Sequence, residues 1–288
     1  MNRLPIDLIQ YCIFDKLDFK TQIRFRQICK RLNRVEIHNM CYYIDYIYLE
    51  RLSNEILINY SKVKYLYAYN NPKITNVNHM TNLQILRASG YNSGIDDNGI
   101  TNLNLIELNA FDNPKITNVN HMTNLKILYA SLHSGLDNNG IKNLNLIHLD
   151  ASFNSNITNI NHMNKLKILD ASYNCGLDDN GIKDLNIIEL NASNNLNITN
   201  INHMSNLQRL YAAGNYCGLD DNGIKDFNLI ELNANNNPKI TNINHMSNLQ
   251  RLYAAGNYCG LDDNGIKDFN LIELNANNNP KITNINHM

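Results

Sequence analysis

Tryptophan is absent from the 288 residues, and proline occurs only five times. Neither sign of charge dominates: 25 Lys and Arg stand against 26 Asp and Glu, a formal net charge of −1. Without a basic excess, neither nucleic acid nor an anionic membrane is expected as a partner. No apolar run approaches the ~20 residues needed to cross a bilayer. The opening MNRLPIDLIQ lacks the apolar core of a secretion signal. Cysteine is sparse as well. Cys12, Cys29 and Cys41 lie near the start, whereas Cys175, Cys217 and Cys259 share one phase of a repeat. If that repeat stacks strands ~4.8 Å apart, successive members sit two strands, or ~10 Å, from each other. A disulfide needs Cα atoms within ~7 Å. Reduced thiols in a cytoplasmic or nuclear compartment are therefore expected, and the sequons at Asn156, Asn191 and Asn197 are discounted as chance in so Asn-rich a chain.

What the chain has in excess is asparagine, roughly a fifth of all residues against a few per cent ordinarily. Such a bias alone would point to low complexity, but the regular placement of Leu and Ala argues for a packed array. Residues 198–246 and 240–288 are the same 49-residue string, and the unit Ser205–Met246 recurs unchanged as Ser247–Met288. Looser copies run back to Val63. Self-similarity at a fixed period marks an array in which each unit buries its apolar face against its neighbours. An array of this kind suits recognition better than catalysis.

Aligned on one another, the repeats contain eleven copies of V/L/I-x-x-L-x-A, the first at Val63 and the last at Leu271. The fourth position is always Leu, from Leu66 to Leu274, and the sixth always Ala, from Ala68 to Ala276. This two-residue period places Leu and Ala on one buried face of a short strand. Asn occupies the ninth position in nine copies: Asn71, Asn113, Asn154, Asn174, Asn195, Asn215, Asn237, Asn257 and Asn279. Buried amides there are expected to form a ladder bonding the backbone where the chain turns. Two kinds of ending alternate. One reads N-x-x-I-T-N-I/V-N-H-M, with an apolar residue every third position. The other reads G-L-D-D-N-G-I-K-D-L/F, where Asp can cap a short helix and Asn-Gly can turn the chain.

The pattern resembles the leucine-rich repeat family, whose unit reads L-x-x-L-x-L-x-x-N-x-L, and the first ending is similar to the internalin type. The resemblance implies an α/β fold, a solenoid with a parallel sheet on its concave side. Ala in place of the family's usual Leu implies a thinner core.

Six histidines, His79, His121, His162, His203, His245 and His287, share one repeat phase. Neighbours ~10 Å apart cannot share a zinc ion that needs ligands at ~2.0–2.1 Å, so packing or exposure is their expected role. The Asp-Asp-Asn-Gly loops lack the downstream bidentate Glu of a calcium loop, which leaves helix capping. No Ser/His/Asp or Cys/His constellation stands out. Neither an enzyme, a cofactor nor a metal site is expected.

On the outward strand positions, Arg209, Glu231, Arg251 and Glu273 would form an alternating row that neutralises itself. The copies differ most in the middle of the array, at Arg87, Phe111, Tyr129, His148, Asp150, Phe153, Asp170 and Tyr173. Exposed aromatics interleaved with charge are typical of partner-binding surfaces. These eight are the candidate target-binding residues of the concave face.

Residues 4–34 do not belong to the array. Pro5 suits a first helical turn, and Leu8, Ile9 and Cys12 or Ile13 form an apolar stripe. Asp18 can cap a second helix in which Phe25, Ile28, Cys29 and Leu32 share a face. The string Leu4-Pro5-x-Asp7-Leu8-Ile9, then Ile13-Phe14-x-x-Leu17, Ile23 and Arg26-x-Ile28-Cys29-Lys30-x-Leu32 resembles the F-box. That resemblance implies a small all-α domain, residues 1–36, that docks the Skp-family adaptor of a cullin–RING ubiquitin ligase. It carries Leu4, Pro5, Leu8, Ile9, Ile13, Leu17, Ile28 and Leu32 to the adaptor interface. Residues 37–62 are expected to be a helical linker and N-terminal cap, and 63–288 the eleven coils. The whole layout is similar to the F-box/repeat proteins of large amoeba viruses. It implies a substrate-recognition subunit of a ubiquitin ligase; the alternative is a scaffold or decoy that delivers no substrate. The chain breaks off mid-pattern at Met288, so the end coil is expected to fray, to self-associate or to belong to a longer array.

Overall fold

A computed structural model describes residue 21 and residues 39–40, 52–267 and 269–285. The eight residues assigned above to the adaptor interface, Leu4 to Leu32, lie outside the described residues, as do the two helices expected there. The chain divides into two compact units. The first extends to Tyr129 and takes in His133–Leu136, and the second holds Ala130–Leu132 and all that follows from Asp137.

In the first unit, β1 (Asn39–Met40), β2 (Tyr65–Tyr67), β3 (Ile85–Arg87), β4 (Glu107–Asn109) and β5 (Ile127–Tyr129) pair in chain order, every pair parallel. The second is built alike from β6 (His148–Asp150), β7 (Ile168–Asp170), β8 (Glu189–Asn191), β9 (Arg209–Tyr211), β10 (Glu231–Asn233), β11 (Arg251–Tyr253) and β12 (Glu273–Asn275). Each unit is thus a solenoid with one strand per coil and a parallel sheet, the leucine-rich-repeat architecture. Parallel neighbours need a crossover between strands, and the two alternating endings provide it.

The repeat motif explains the register. From β2 onward the middle residue of each strand is the invariant Leu, and these strands align Leu on Leu, as Leu66 on Leu86 or Leu210 on Leu232. From Leu66 to Leu252 these leucines are buried, as is the Ala that follows each strand by one residue, from Ala68 to Ala254; Leu274 in the last strand is half-buried. The flanking residues are half-buried and face outward. At ~25 cal/mol per Å² of apolar area removed from water, the Leu stack is the main source of cohesion between coils. Because the period is two, a one-residue slip would turn every Leu to solvent.

The crossovers follow the two endings. In the first kind Ile74, Val77 and Met80 point inward with no exposure, at the expected spacing of three. In the second kind a single helical turn forms, at Asp97–Ile100, Asn138–Ile141, Asp179–Ile182 and, as a 3₁₀ turn, Asn222–Ile224. The first Asp of each motif caps it: Asp96, Asp137 and Asp178 accept from the backbone N–H of Gly99, Gly140 and Gly181 at 2.8–2.9 Å. Glycine is required at that third helical position. A Cβ on Gly223 would fall 2.1 Å from the carbonyl oxygen of Thr199 in the preceding coil.

One expectation needs correction. The asparagine ladder occupies only alternate coils. Asn71, Asn113, Asn154, Asn195, Asn237 and Asn279 are buried, and Asn195 Nδ2 donates to the carbonyls of Ala171 and Leu177 at 2.8 and 3.2 Å. Asn174, Asn215 and Asn257 are exposed instead. Their coils are one or two residues longer at the turn, which moves the inward position on to Cys175, Cys217 and Cys259, and in earlier coils to Ser93 and Ser134. The inward thiols of Cys217 and Cys259 lie 3.5 Å from the Ala192 and Ala234 carbonyls that an amide would otherwise reach. Of residues 37–62, expected to be a helical linker and cap, the described ones are the strand β1 and residues 52–62, which hold a helical turn at Asn54–Leu57; the rest of that linker lies outside the described residues. Pairing of β1 with β2 covers an otherwise open sheet edge.

Candidate binding surface

The outward strand positions form one continuous face within each unit. In the first, the guanidinium of Arg87 pairs with Glu107 on the adjacent strand and lies 5.1 Å from the centre of the Tyr129 ring. The rings of Tyr67 and Tyr69 stack with centroids 6.2 Å apart. Tyr67, Tyr69, Arg87 and Tyr129, with Ser89 and Asn109, line an open cleft of about 390 Å³. Phe111 is not on a strand. It sits in the turn after β4, held by its own N–H bonded to Asn109 Oδ1 at 3.0 Å.

In the second unit, Arg209 Nε donates to Glu189 at 2.7 Å and Arg251 Nε to Glu231 at 2.9 Å. Tyr211 donates its hydroxyl to the other oxygen of Glu231 at 3.1 Å. Burial, and after it the Glu231 charge, pushes the Tyr211 hydroxyl up to about 12. Solvent screens pairs this exposed, so they add little to stability. The row is a self-neutralised surface.

The first two strands of this unit break that rule. Asp150 and Asp170 are direct register partners on β6 and β7. Asp150 accepts from the N–H and hydroxyl of Ser152 at 3.0 and 2.7 Å and from Ser131 at 3.1 Å. Asp170 accepts likewise from Ser172 at 2.9 and 2.5 Å, and from Asn191 at 2.9 Å. Neither has a cationic partner among the described residues. Burial raises the Asp170 pKa, against the lowering hydrogen bonds from Ser172 and with a further rise from the Asp150 charge. His148 begins the same strand as Asp150, half-buried on the outer face.

Phe153 and Tyr173 stand in turns, like Phe111, and their position is a special one. The second residue after the invariant Ala has a positive φ in all eleven coils: Asn70, Gly90, Asp112, Leu132, Phe153, Tyr173, Asn194, Gly214, Asn236, Gly256 and Asn278. The left-handed conformation aims the N–H at the next coil, continuing the ladder, as when Tyr173 donates to the Ser193 carbonyl at 2.7 Å. Gly, Asn and Asp accept this conformation readily, whereas other residues incur roughly 1–2 kcal/mol. Eight coils obey that preference, and three successive coils carry Leu132, Phe153 and Tyr173 instead. The two rings stack, centroids 4.1 Å apart and planes 13° from parallel, and remain 44 and 43% exposed. Leu132 was not among the sequence candidates. The available signal was its place opposite Asn, Asp or Gly in the other repeats.

The repeat histidines His79, His121, His162, His203 and His245 are structural, and His287 lies outside the described residues. Nε2 of His79, His121 and His203 lies 3.0–3.1 Å from the carbonyl of Leu57, Ile100 and Ile182 in the preceding coil. A carbonyl only accepts, so each ring carries its proton on Nε2. No group of three or more His, Cys, Asp or Glu able to hold a metal occurs among the described residues. The thiols of Cys175 and Cys217 are buried, and burial pushes them up to about 12 and about 11.

Comparison with known proteins adds to this geometry. Residues 1–38 match the F-box domain family. Among solved structures, an internalin from Listeria monocytogenes is 19% identical, covering 81% of this chain and 73% of that one with a TM-score of 0.44. The functional domain of InlJ from Listeria monocytogenes, which includes a cysteine ladder, is 16% identical over 80% and 61%, with a TM-score of 0.46. The TLR13–ssRNA13 complex is 15% identical over 89% of this chain and 46% of that one, with a TM-score of 0.47. No protein of curated function matches the sequence. An F-box followed in sequence by a parallel solenoid is the composition of a protein-interaction adaptor.

Proposed function

We propose that this protein is the substrate-recognition subunit of a Skp/cullin/F-box ubiquitin ligase. The F-box segment would hold a Skp-family adaptor, and through it the cullin–RING ligase, while the outward sheet face of the repeats binds the protein to be modified. The observation that carries the reading is the F-box match over residues 1–38 directly preceding coils whose outer positions vary while their inner ones do not. Such variation on a constant frame is how solenoids acquire a partner. The chain itself acts by binding. In support, its repeat thiols are buried and held protonated, and its repeat histidines are engaged as donors. Reduced, unpaired thiols also fit a cytoplasmic or nuclear site of action.

Capture of a purified Skp-family adaptor by the full-length protein tests the reading. Binding should be lost on Leu8→Asp with Ile13→Asp, which places charge on the expected adaptor face. Retention of the adaptor by that variant would refute the F-box assignment. A reconstituted ligase that modifies a captured target in a manner dependent on this chain would establish delivery over mere occupancy of the adaptor.

A further inference from the structure

The coils that depart from the repeat do so in two ways at one place. First, Asp150 and Asp170 face each other across β6 and β7. Like charges directly opposite on paired strands destabilise a sheet. Elsewhere in this unit charged rungs alternate in sign, Glu189 against Arg209 and Glu231 against Arg251. Second, Leu132, Phe153 and Tyr173 hold a left-handed conformation that the other coils reserve for Gly, Asn or Asp. They expose apolar surface where those coils expose small polar groups. Local rules broken together, with no cation among the described residues set against the paired carboxylates, mark surfaces kept for something outside the fold.

We infer that the edge formed by Leu132, Phe153 and Tyr173 together with Asp150 and Asp170 docks an extended segment of the target that presents an arginine beside an apolar side chain. This rests on the reading that the repeats bind a target, and it specifies that target's chemistry. Charge complementarity selects the cation. Two carboxylates without a counter-charge share a rung, and each accepts three hydrogen bonds, leaving acceptor capacity for a planar donor fork. Arginine fits better than lysine because its guanidinium also stacks on aromatic faces, and the Phe153–Tyr173 pair lies in the turns immediately beyond the two aspartates. The apolar neighbour of the arginine would lie against Leu132 and the exposed ring faces. Exposed, pre-stacked aromatics are the usual anchors of such contacts, since little side-chain freedom is lost on binding.

The test is to pan a phage-displayed dodecapeptide library against the full-length protein and to measure selected peptides by fluorescence polarisation. Peptides enriched in arginine next to an aliphatic or aromatic residue are expected. Their affinity should fall about tenfold or more on Asp150→Asn with Asp170→Asn, and again on Phe153→Asn with Tyr173→Asn. Both pairs install side chains that the fold accommodates, so thermal melting at or above the parent value is expected and separates lost binding from lost folding. Selection without basic enrichment, or affinities within about twofold of the parent in both variants, would overturn the inference. So would concentration-dependent self-association abolished by the same substitutions, which would make the occupant a second copy. Adaptor capture through residues 1–38 is measured separately. Its failure with an intact peptide preference refutes the ligase reading alone, and the reverse outcome refutes this inference alone.

Discussion

Asp179 reaches one coil onward to Thr199. One carboxylate oxygen accepts the N–H groups of Thr199 and Asn200 at 2.7 and 3.1 Å, and the other accepts the Thr199 hydroxyl at 2.6 Å. Its neighbour Asp178 caps its own helical turn. The Asp-Asp pair therefore divides two tasks, one within the coil and one between coils, and Asp221 with Thr241 repeats the bridge. Asn138 bridges the same three groups with an amide, accepting from the N–H groups of Thr158 and Asn159 and donating to the Thr158 hydroxyl. Asp179→Ala is expected to cost about 1–2 kcal/mol. Asp179→Asn should stay within about 0.5 kcal/mol of the parent. Urea unfolding of the two variants distinguishes a geometric bridge from a purely electrostatic one.

The two classes of repeat asparagine should separate sharply. Asn195→Ala leaves the buried Ala171 and Leu177 carbonyls without their amide and removes the acceptor for the Asn197 N–H. A loss of about 2–4 kcal/mol follows. Asn215 occupies the same count in its repeat but is exposed, and Asn215→Ala should move the urea midpoint by less than the equivalent of about 0.5 kcal/mol.

Gly223→Ala drives a methyl group against the Thr199 carbonyl. That atom is backbone and is fixed by the adjoining coil, so relief requires the coils to separate. A cost of about 1–3 kcal/mol is expected, read as a lower melting temperature. A melting temperature equal to the parent's would show that the contact relaxes freely.

The raised pKa of Asp170 gives a pH dependence with a definite sign. A carboxyl whose folded pKa lies above its unfolded value favours the folded state when protonated. That contribution is complete below the model-compound value of 3.8 and is lost as pH rises through the higher folded value. Ionisation of the crowded Asp170 thus opposes folding. Asp170→Asn should melt higher than the parent at pH 7, with the gain shrinking as pH falls toward 3.8.

Burial should also silence the repeat thiols. With Cys175 pushed up to about 12 and Cys217 to about 11, little thiolate exists at pH 8 for an alkylating agent to attack. Peptide mapping after iodoacetamide treatment should find both unmodified in the native protein and labelled in urea. The neutral thiols stabilise the fold below their ordinary value of 9.0, and that contribution fades as pH climbs toward about 11.

Much of this protein follows from its sequence alone. The two-residue spacing of Leu66 and Ala68, repeated eleven times, admits a single buried strand face per coil. A period of 41–42 residues per pair of coils admits only a stack. The caps by Asp96 and Asp178 were equally legible, because capping is local. What the sequence did not determine is which residue of a turn points inward. Asn174 and Cys175 are adjacent, and only the length of chain between two paired strands decides that the thiol is buried and the amide exposed. The same holds for the surface. Phe153 and Tyr173 stood out as irregular, but their rings meet only because successive coils lie side by side in register. Asp150 and Asp170, 20 positions apart in the chain, become a like-charged pair for the same reason. Short-range pattern sets the coil; contacts between coils, made across about twenty residues of intervening chain, set the surface that a partner meets.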